Sequence, residues 1–155
     1  MCSLRNYLMG IATLMAGCSI GPTGTPTQVE IVGAYALSRE SSDFLAREKH
    51  YGSIPRSYIE LRANGEVFVE GMPDCYVMDA PRERHSFLAG HGTWRIEATD
   101  FGYGVTLDIV SGGSLKPGIY HGSSILLRGK AAPFKLQVGI GDPDNSEWLL
   151  FARDG

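Results

Sequence analysis

Short runs in which apolar and polar residues alternate recur between residues 29 and 153, and glycine-containing breaks separate them. Residues 29–37 and 104–110 are two clear examples. A period of two places successive side chains on opposite faces of an extended strand, so each run has one face for a core and one for solvent. No helical pattern is long enough for the crossover connections of a parallel sheet. The pattern therefore predicts an all-β domain with antiparallel strands.

The spacing of these runs predicts how the strands are arranged. Turn residues recur at intervals of roughly 8 to 12 residues, as in sandwiches and barrels, and short connections favour an up-and-down order that closes to remove exposed edges. We therefore expect residues 29–155 to form a single antiparallel up-and-down barrel of about eight strands. One short helix fits at residues 43–50, starting near Asp43. The expected strands are residues 29–37, the two arms of 57–70, 86–89, 92–97, 104–110, 123–127, 134–140 and 147–153.

Asn64-Gly65 is the strongest local signal in the domain, because this dipeptide fits the positive φ angles of a tight turn between two strands. It lies between two β-rich arms within residues 57–70. Two registers are open. A two-residue loop pairs Leu61 with Phe68, and a three-residue loop with a glycine bulge pairs Leu61 with Val67. Both predict a β hairpin closed at Asn64-Gly65.

The charge balance excludes some classes of partner. The chain of 155 residues has a formal net charge of −3 and contains no basic stripe. Nucleic acid is therefore not an expected partner. The acidic balance also argues against a domain that lies flat on anionic lipid. We expect contact with a membrane to depend on another part of the chain.

Residues 1–18 have the layout of an export signal. Arg5 is positive, residues 7–15 are almost wholly apolar, and the small residues Ala16 and Gly17 follow. A charged start, an apolar stretch and a small-residue exit are typical of secretory signal peptides. The apolar stretch is too short to span a bilayer, which takes about 20 residues. We therefore interpret residues 1–17 as a cleaved signal peptide.

The run Leu14-Met15-Ala16-Gly17-Cys18 resembles the lipobox of bacterial lipoproteins, with methionine where leucine is preferred. The resemblance implies that a diacylglyceryl group is attached to the sulfur of Cys18 and that a peptidase cuts just before it. Two acyl chains are enough for stable anchoring. Ser19, where a retention signal would have aspartate, implies the outer membrane facing the periplasm in a Gram-negative organism. Residues 18–28 are then the lipidated cysteine and a flexible tether, uncharged and rich in Gly, Pro and Thr.

Three short elements of the domain resemble lipocalin-like barrels. Gly33-Ala34-Tyr35 is similar to their opening Gly-x-Trp/Tyr element. Residues 61–65 and Gly92-Thr93-Trp94 are similar to a hairpin and a mid-domain strand of small bacterial members. The fuller opening motif of true lipocalins is absent from the sequence. The resemblance implies the barrel architecture over residues 29–153 and says little about a ligand.

The sequence contains no motif for catalysis, for a metal or for a cofactor. Cys75 has no Cys-x-x-Cys partner and is expected to be a small buried residue, and no Gly-x-Ser-x-Gly element occurs. Glu97, Asp100 and Asp108 are interpreted as the polar face of two strands, not as paired carboxylates. The histidines, which form no His-x-His or His-x-x-x-His pair, are His50, His85, His91 and His121. We therefore expect a protein that is not an enzyme and binds no metal or cofactor.

Aromatic residues supply the candidates for contact with a ligand or partner. Tyr35, Trp94 and Trp148 lie in expected strands and are expected to face the core, whereas Phe101 and Tyr103 lie in an expected turn. Rings in a turn can rim a barrel mouth or a partner surface. The candidate contacts are Phe101, Tyr103, Tyr35 and Trp94. Bulky side chains inside the barrel would favour a protein partner, and small ones would favour a small apolar ligand.

Two functional hypotheses follow. The first is a lipid-anchored, non-catalytic binding protein of the cell envelope that holds a small apolar ligand or a protein partner. The alternative is an envelope inhibitor or immunity protein that blocks a toxin or a lysozyme-like hydrolase. An acidic domain suits the second hypothesis when the target is cationic.

Overall fold

The structure is a computed structural model that describes residues 21–49, 51–74, 86–111, 120–121, 125–140 and 147–154. These residues form two helices and nine β strands. The helices are α1 (Gln28–Ile31) and α2 (Arg39–Arg47). The strands are β1 (Gly33–Leu37), β2 (Tyr58–Leu61), β3 (Glu66–Pro73), β4 (Phe87–Thr99), β5 (Gly102–Ser111), β6 (Tyr120–His121), β7 (Ile125–Arg128), β8 (Lys135–Gly139) and β9 (Trp148–Arg153).

Eight of the strands close into an antiparallel up-and-down barrel. The hydrogen-bonded order is β4-β3-β2-β1-β9-β8-β7-β5, and the ring closes because β5 also pairs with β4. The two-residue strand β6 pairs with β5, as β7 does, but with a different part of that strand. Asp108 of β5 lies opposite His121, and Gly104 lies opposite Leu126. The expected all-β barrel of about eight strands is confirmed.

The β2–β3 hairpin has one of the two registers that the sequence left open. Leu61 pairs with Val67, as the three-residue loop requires. The amide of Gly65 donates a hydrogen bond to the carbonyl of Arg62 at 3.1 Å. Gly65 has a φ of 82°, in the left-handed region that glycine enters at no steric cost. The prediction of a hairpin closed at Asn64-Gly65 is confirmed.

One long strand, β4, replaces the two short strands that were expected around Gly90-His91-Gly92. β4 is continuous, and its register with β5 shifts next to Gly92. A Cβ at Gly92 would overlap the backbone carbonyl of Asp108 on β5, so this glycine permits two strands to approach closely. The expected break was wrong, because a glycine in a bulge and a glycine in a turn look alike in a sequence.

The first strand begins at Gly33, later than expected, because α1 precedes it. The carboxylate of Glu30 accepts a hydrogen bond from the backbone amide of Thr27 at 2.8 Å, which is the reciprocal contact of a capping box. Ile31 is buried, whereas Val29 is 84% exposed. The prediction of a strand that starts at Val29 was wrong, because a single turn of capped helix takes up the first residues of the apolar run.

α2 begins at Arg39, before the helix that was expected to start near Asp43. Ser38 is the N-cap, and its Oγ accepts a hydrogen bond from the amide of Ser41 at 3.2 Å. Serine fills this position about as well as aspartate does. The hydroxyl oxygen of Ser41 in turn accepts a hydrogen bond from the amide of Leu150 at 2.8 Å, so the first turn of α2 is attached to β9.

The barrel has two distinct ends, because consecutive antiparallel strands are connected at alternate ends. We call one the α1 end: it consists of residues 21–27, α1 and the β2–β3, β4–β5 and β7–β8 connections. We call the other the α2 end: among the described residues it consists of α2, the β1–β2 connection and the strand ends at residues 73–74, 86–87, 139–140 and 147–148.

Large side chains fill the barrel between the two ends. Trp148, which was expected in the core, is instead 47% exposed, because alternation along β9 places it on the outer face opposite Gly139. The neighbouring Leu149 is fully buried. The largest fully buried side chains are those of Tyr35, Phe151, Ile31, Leu45, Ile59, Leu61, Met72, Leu107, Ile125, Leu127, Leu136 and Leu149.

Candidate contact site

Two of the four candidate contact residues, Tyr35 and Trp94, belong to the barrel interior. Tyr35 is fully buried, and its hydroxyl donates to the carbonyl of Ile31 at 2.5 Å. Burial raises the pKa of Tyr35 above its ordinary value of 10.0, since an apolar environment disfavours the phenolate. Trp94 is 7% exposed, and its indole N–H donates to the carbonyl of Arg62 at 2.9 Å. The two rings therefore attach α1 and the β2–β3 hairpin to the core.

The third candidate, Tyr103, lies in β5 and not in the expected turn, because β5 begins at Gly102, and it helps to close the α1 end. Its ring is half-buried, packs against the core, and lies opposite Ala98 in the β4–β5 ladder. Its hydroxyl lies 2.8 Å from Oγ1 of Thr25, within hydrogen-bond distance. Both the ring and the hydroxyl of Tyr103 thus have partners within the chain.

The fourth candidate, Phe101, lies at the tip of the β4–β5 hairpin with 80% of its surface exposed. Its amide donates to Oγ1 of Thr99 at 3.2 Å, and that hydroxyl donates to the carbonyl of Gly102 at 2.9 Å. Gly102 has a φ of 117°, which a residue with a side chain rarely adopts. The turn is thus held by its own backbone and by Thr99. Of the four predicted residues, Phe101 is the one whose ring a partner can reach.

An exposed valine and two lysines share the α1 end with Phe101. Val29 projects into solvent from α1, and the side-chain amide of Gln28 holds that helix to a backbone carbonyl of the β2–β3 hairpin at 2.8 Å. Lys130 and Lys135, at the β7–β8 connection, are exposed and form no ion pair within the described part of the chain. The α1 end thus combines apolar side chains and ammonium groups that other described side chains do not satisfy.

A shallow cleft of about 240 Å³ separates the N-terminal segment from the β7–β8 connection. The segment belongs to the expected tether, yet Pro26 is buried and the amide of Thr23 donates to the carbonyl of Lys130 at 3.3 Å. Pockets for small molecules usually measure about 300–1,000 Å³ and are largely apolar. This cleft therefore lacks the size of a typical ligand pocket. Its lining residues are Pro22, Thr23, Gly24, Thr25, Pro26, Glu30, Lys130, Ala131 and Phe134.

Charged side chains cover the outward face of β4 and β5. Arg95 lies 2.7 Å from Glu97 and also pairs with Asp108. The hydroxyl of Thr106 donates to Glu97 at 2.5 Å, and this bond, together with Arg95, holds the pKa of Glu97 below its ordinary value. Glu97 and Asp108 form the polar face that the sequence predicted, whereas Asp100 lies in the turn. Both strand carboxylates are engaged by Arg95, an arrangement typical of a structural ion-pair network.

An aromatic stack on the outward face of β3 and β4 was not indicated by any motif. The guanidinium of Arg62 lies 3.9 Å from the ring centre of Phe68, and the rings of Phe68 and His91 are stacked with their centres 6.1 Å apart. Such cation–π contacts orient a guanidinium over a ring face. Phe68 alternates with the buried Val67 and Val69, so the hairpin register alone could have placed it on the outer face.

A buried carboxylate at the α2 end was also not indicated. Asp74 is buried and accepts hydrogen bonds from the hydroxyl of Tyr51 and from the amide and hydroxyl of Ser86, the last two at 3.1 and 2.9 Å. Three donors offset the cost of removing a carboxylate from water. In the sequence, Asp74 follows Pro73 and looks like an ordinary loop residue.

Several predicted residues lie outside the described part of the chain, among them Cys18, Cys75, His50 and His85. Among the described residues, no group of three or more His, Cys, Asp or Glu side chains is arranged to hold a metal ion. Neither helix of that part of the chain is long and apolar enough to cross a membrane.

Comparisons with known proteins add no relative. No family model, no curated protein and no solved structure matches this chain. The functional conclusions therefore depend on the residues and the geometry described above.

Proposed function

We propose that this protein is a lipid-anchored, non-catalytic binding protein of the cell envelope that docks a protein partner on the outside of its barrel. One observation carries the choice of a protein over a small apolar ligand. Large buried side chains of the described residues occupy the barrel interior, with Tyr35 and Phe151 fully buried and Trp94 in the same core cluster. An eight-stranded barrel has room either for side chains or for one small ligand, so a filled interior leaves recognition to the outer surface.

The anchor is supported by the residues that precede the barrel. The lipobox-like run ends at Cys18, directly after a short apolar segment. Two acyl chains on this cysteine would hold the protein on a membrane without a spanning helix. With Ser19 at the next position, the proposed location in a Gram-negative organism is the outer membrane, facing the periplasm.

Mass spectrometry of protein extracted from membranes tests the anchor. We expect an acylated Cys18 at the N-terminus and no peptide from residues 1–17. Cys18→Ser removes the acylated sulfur and should release the protein from membranes, whereas Cys75→Ser, the matched control, should leave it bound. A Cys18→Ser protein that stayed with membranes after a salt wash would contradict the anchor.

The charges of the barrel support a cationic partner. On the outward face of β2–β5, which we call the acidic wall, the carboxylates outnumber the guanidiniums. Complementary potentials speed association and select partners. Glu70, exposed on β3, is paired across the ladder with Tyr58, whose hydroxyl donates to it at 2.8 Å. The carboxylates are Glu60, Glu66, Glu70, Glu97 and Asp108, and the guanidiniums are Arg62 and Arg95.

Capture of envelope proteins with the full lipidated chain tests the docking surface. We expect a partner whose retention weakens with salt and with Glu70→Lys, because both reduce the attraction of the acidic wall. Glu48→Lys makes the same charge change beside α2 and should have little effect. Equal retention by the two variants would place the partner on another surface.

A lysozyme-like hydrolase or a toxin is the second candidate function, because a cationic enzyme fits the same acidic wall. Hydrolysis of peptidoglycan by a purified cationic lysozyme provides the test. Inhibition that is lost in Glu70→Lys and kept in Glu48→Lys would favour an inhibitor. Full lysozyme activity in the presence of excess protein would leave the general docking role.

A further inference from the structure

We infer that the α1 end of the barrel rests on the phospholipid surface, with the tip of the β4–β5 hairpin in the interfacial layer of the bilayer. This inference rests on the proposed lipid anchor. It goes beyond the anchor because it assigns an orientation to the barrel and a lipid contact to Phe101.

The path of the N-terminal segment brings the anchor to this end. The amide of Thr23 bonds to the carbonyl of Lys130 at 3.3 Å, and a Cβ at Gly21 would lie 3.6 Å from the carbonyl oxygen of Leu127. Cys18 precedes Gly21 by three residues, which span at most about 11 Å when fully extended. A lipid on Cys18 therefore keeps the α1 end within a short distance of the membrane, whatever path those three residues take.

The most exposed apolar side chains lie at the same end. Among the large apolar residues that the structure describes, Val29 is 84% exposed and Phe101 is 80% exposed, and both belong to the α1 end. Trp148, which starts β9 at the α2 end, is 47% exposed, and Val110 is 46% exposed. Apolar side chains at the end that carries a lipid can lie in the headgroup and acyl boundary, where their exposure to water is removed.

The charges of this end fit a phospholipid headgroup layer. Lys130 and Lys135 are exposed and have no acidic partner among the described residues, so their ammonium groups are available to headgroup phosphates. Asp100, next to Phe101, is also exposed and keeps the local net charge small. A mainly zwitterionic bilayer is therefore the expected surface, and the contact should not require anionic lipid.

Tryptophan fluorescence of the lipidated full chain on phosphatidylcholine vesicles tests the orientation. In the Trp148→Phe background, Phe101→Trp places a reporter at the hairpin tip, while the native chain carries Trp148 as a matched reporter at the α2 end. Trp94 is present in all forms, so Trp148→Phe alone gives the baseline. Vesicles whose acyl chains are brominated quench a tryptophan that enters the boundary region, and circular dichroism checks that each variant is folded.

We expect the Phe101→Trp reporter to lose most of its emission on brominated vesicles and to shift to shorter wavelength, while Trp148 keeps its emission. Flotation of the same samples measures separately whether the anchor binds the protein to the vesicles, with Cys18→Ser as its control. Flotation without quenching at position 101, or with equal quenching of Trp148, would overturn the orientation and leave the anchor standing. Failure of the acylated chain to float would overturn both.

Discussion

The two ends of the barrel are closed by different means. At the α1 end, the connections are held by nearby backbone, as in the bond from Gly65 to Arg62, and by Thr99 within its own turn. At the α2 end, closure depends on side chains from distant parts of the chain: Leu45 of α2 is fully buried, and Asp74 binds Tyr51 and Ser86. Turn chemistry can therefore hold the individual hairpins of the α1 end, where long-range contacts such as that of Tyr103 with Thr25 are added, whereas the α2 end depends on tertiary packing.

The largest effect should come from removing the packing of α2. Leu45→Ala deletes a fully buried side chain, and such changes cost about 2–5 kcal/mol because a cavity remains. Glu40→Ala, on the exposed face of the same helix, should change the free energy of unfolding by no more than about 0.5 kcal/mol. Urea unfolding measures both. Equal stability of the two variants would mean that α2 does not close the barrel.

An intermediate effect is expected at the α1 end, in the β2–β3 turn. Gly65→Val should cost about 1–2 kcal/mol, because a β-branched residue resists a positive φ. No atom lies within 4 Å of a Cβ at this position, so backbone strain alone sets the cost. Gly139→Val is the control, since it also has open space but no positive φ. If both variants had the same unfolding midpoint, local turn chemistry would not hold this end.

The smallest effect should be the contribution of Tyr35, where β1 meets α1, to the pH dependence of the free energy of unfolding. Its pKa is raised from 10.0 by burial, so the folded state favours the neutral phenol. The stability that this provides is complete below pH 10.0 and is lost as the pH rises through the raised pKa. One group changes the free energy of unfolding by at most about 1.4 kcal/mol per pH unit. Urea midpoints between about pH 8 and 11 should fall less steeply in Tyr35→Phe than in the native chain. Parallel slopes would exclude the role of Tyr35.

The features that sequence patterns located correctly are local ones. Asn64-Gly65 identified its hairpin because the residues that make the turn are adjacent in the chain. The errors occurred where one local pattern fits two structures. The run from Val29 alternates like a strand but begins as a capped helical turn, and Gly92 resembles a turn residue but lies in a continuous strand. For Gly92, only the strand paired opposite shows which alternative applies.

The candidate site divides in the same way. Phe101 was placed in a turn by its neighbours, and its exposure follows from that position. Tyr103 was placed in the same turn, but its contact with Thr25 joins residues far apart in the chain. Trp148 lies next to the fully buried Leu149 at the start of β9, and its outward position depended on the register of β9 against β8. A shift of one residue would have reversed it.

The amino-acid sequence by itself determined the period-two strands, the Asn64-Gly65 hairpin and the antiparallel class of the fold. Each of these features depends on residues that are close together in the chain. Tertiary structure alone decided how the barrel closes between its first and last strands, β1 and β9, how α2 covers one end, and which aromatic side chains lie inside. These outcomes depend on contacts between residues such as Ser41 and Leu150, which are distant in the chain and compete for the same buried space. Packing of that kind leaves no pattern in any short segment.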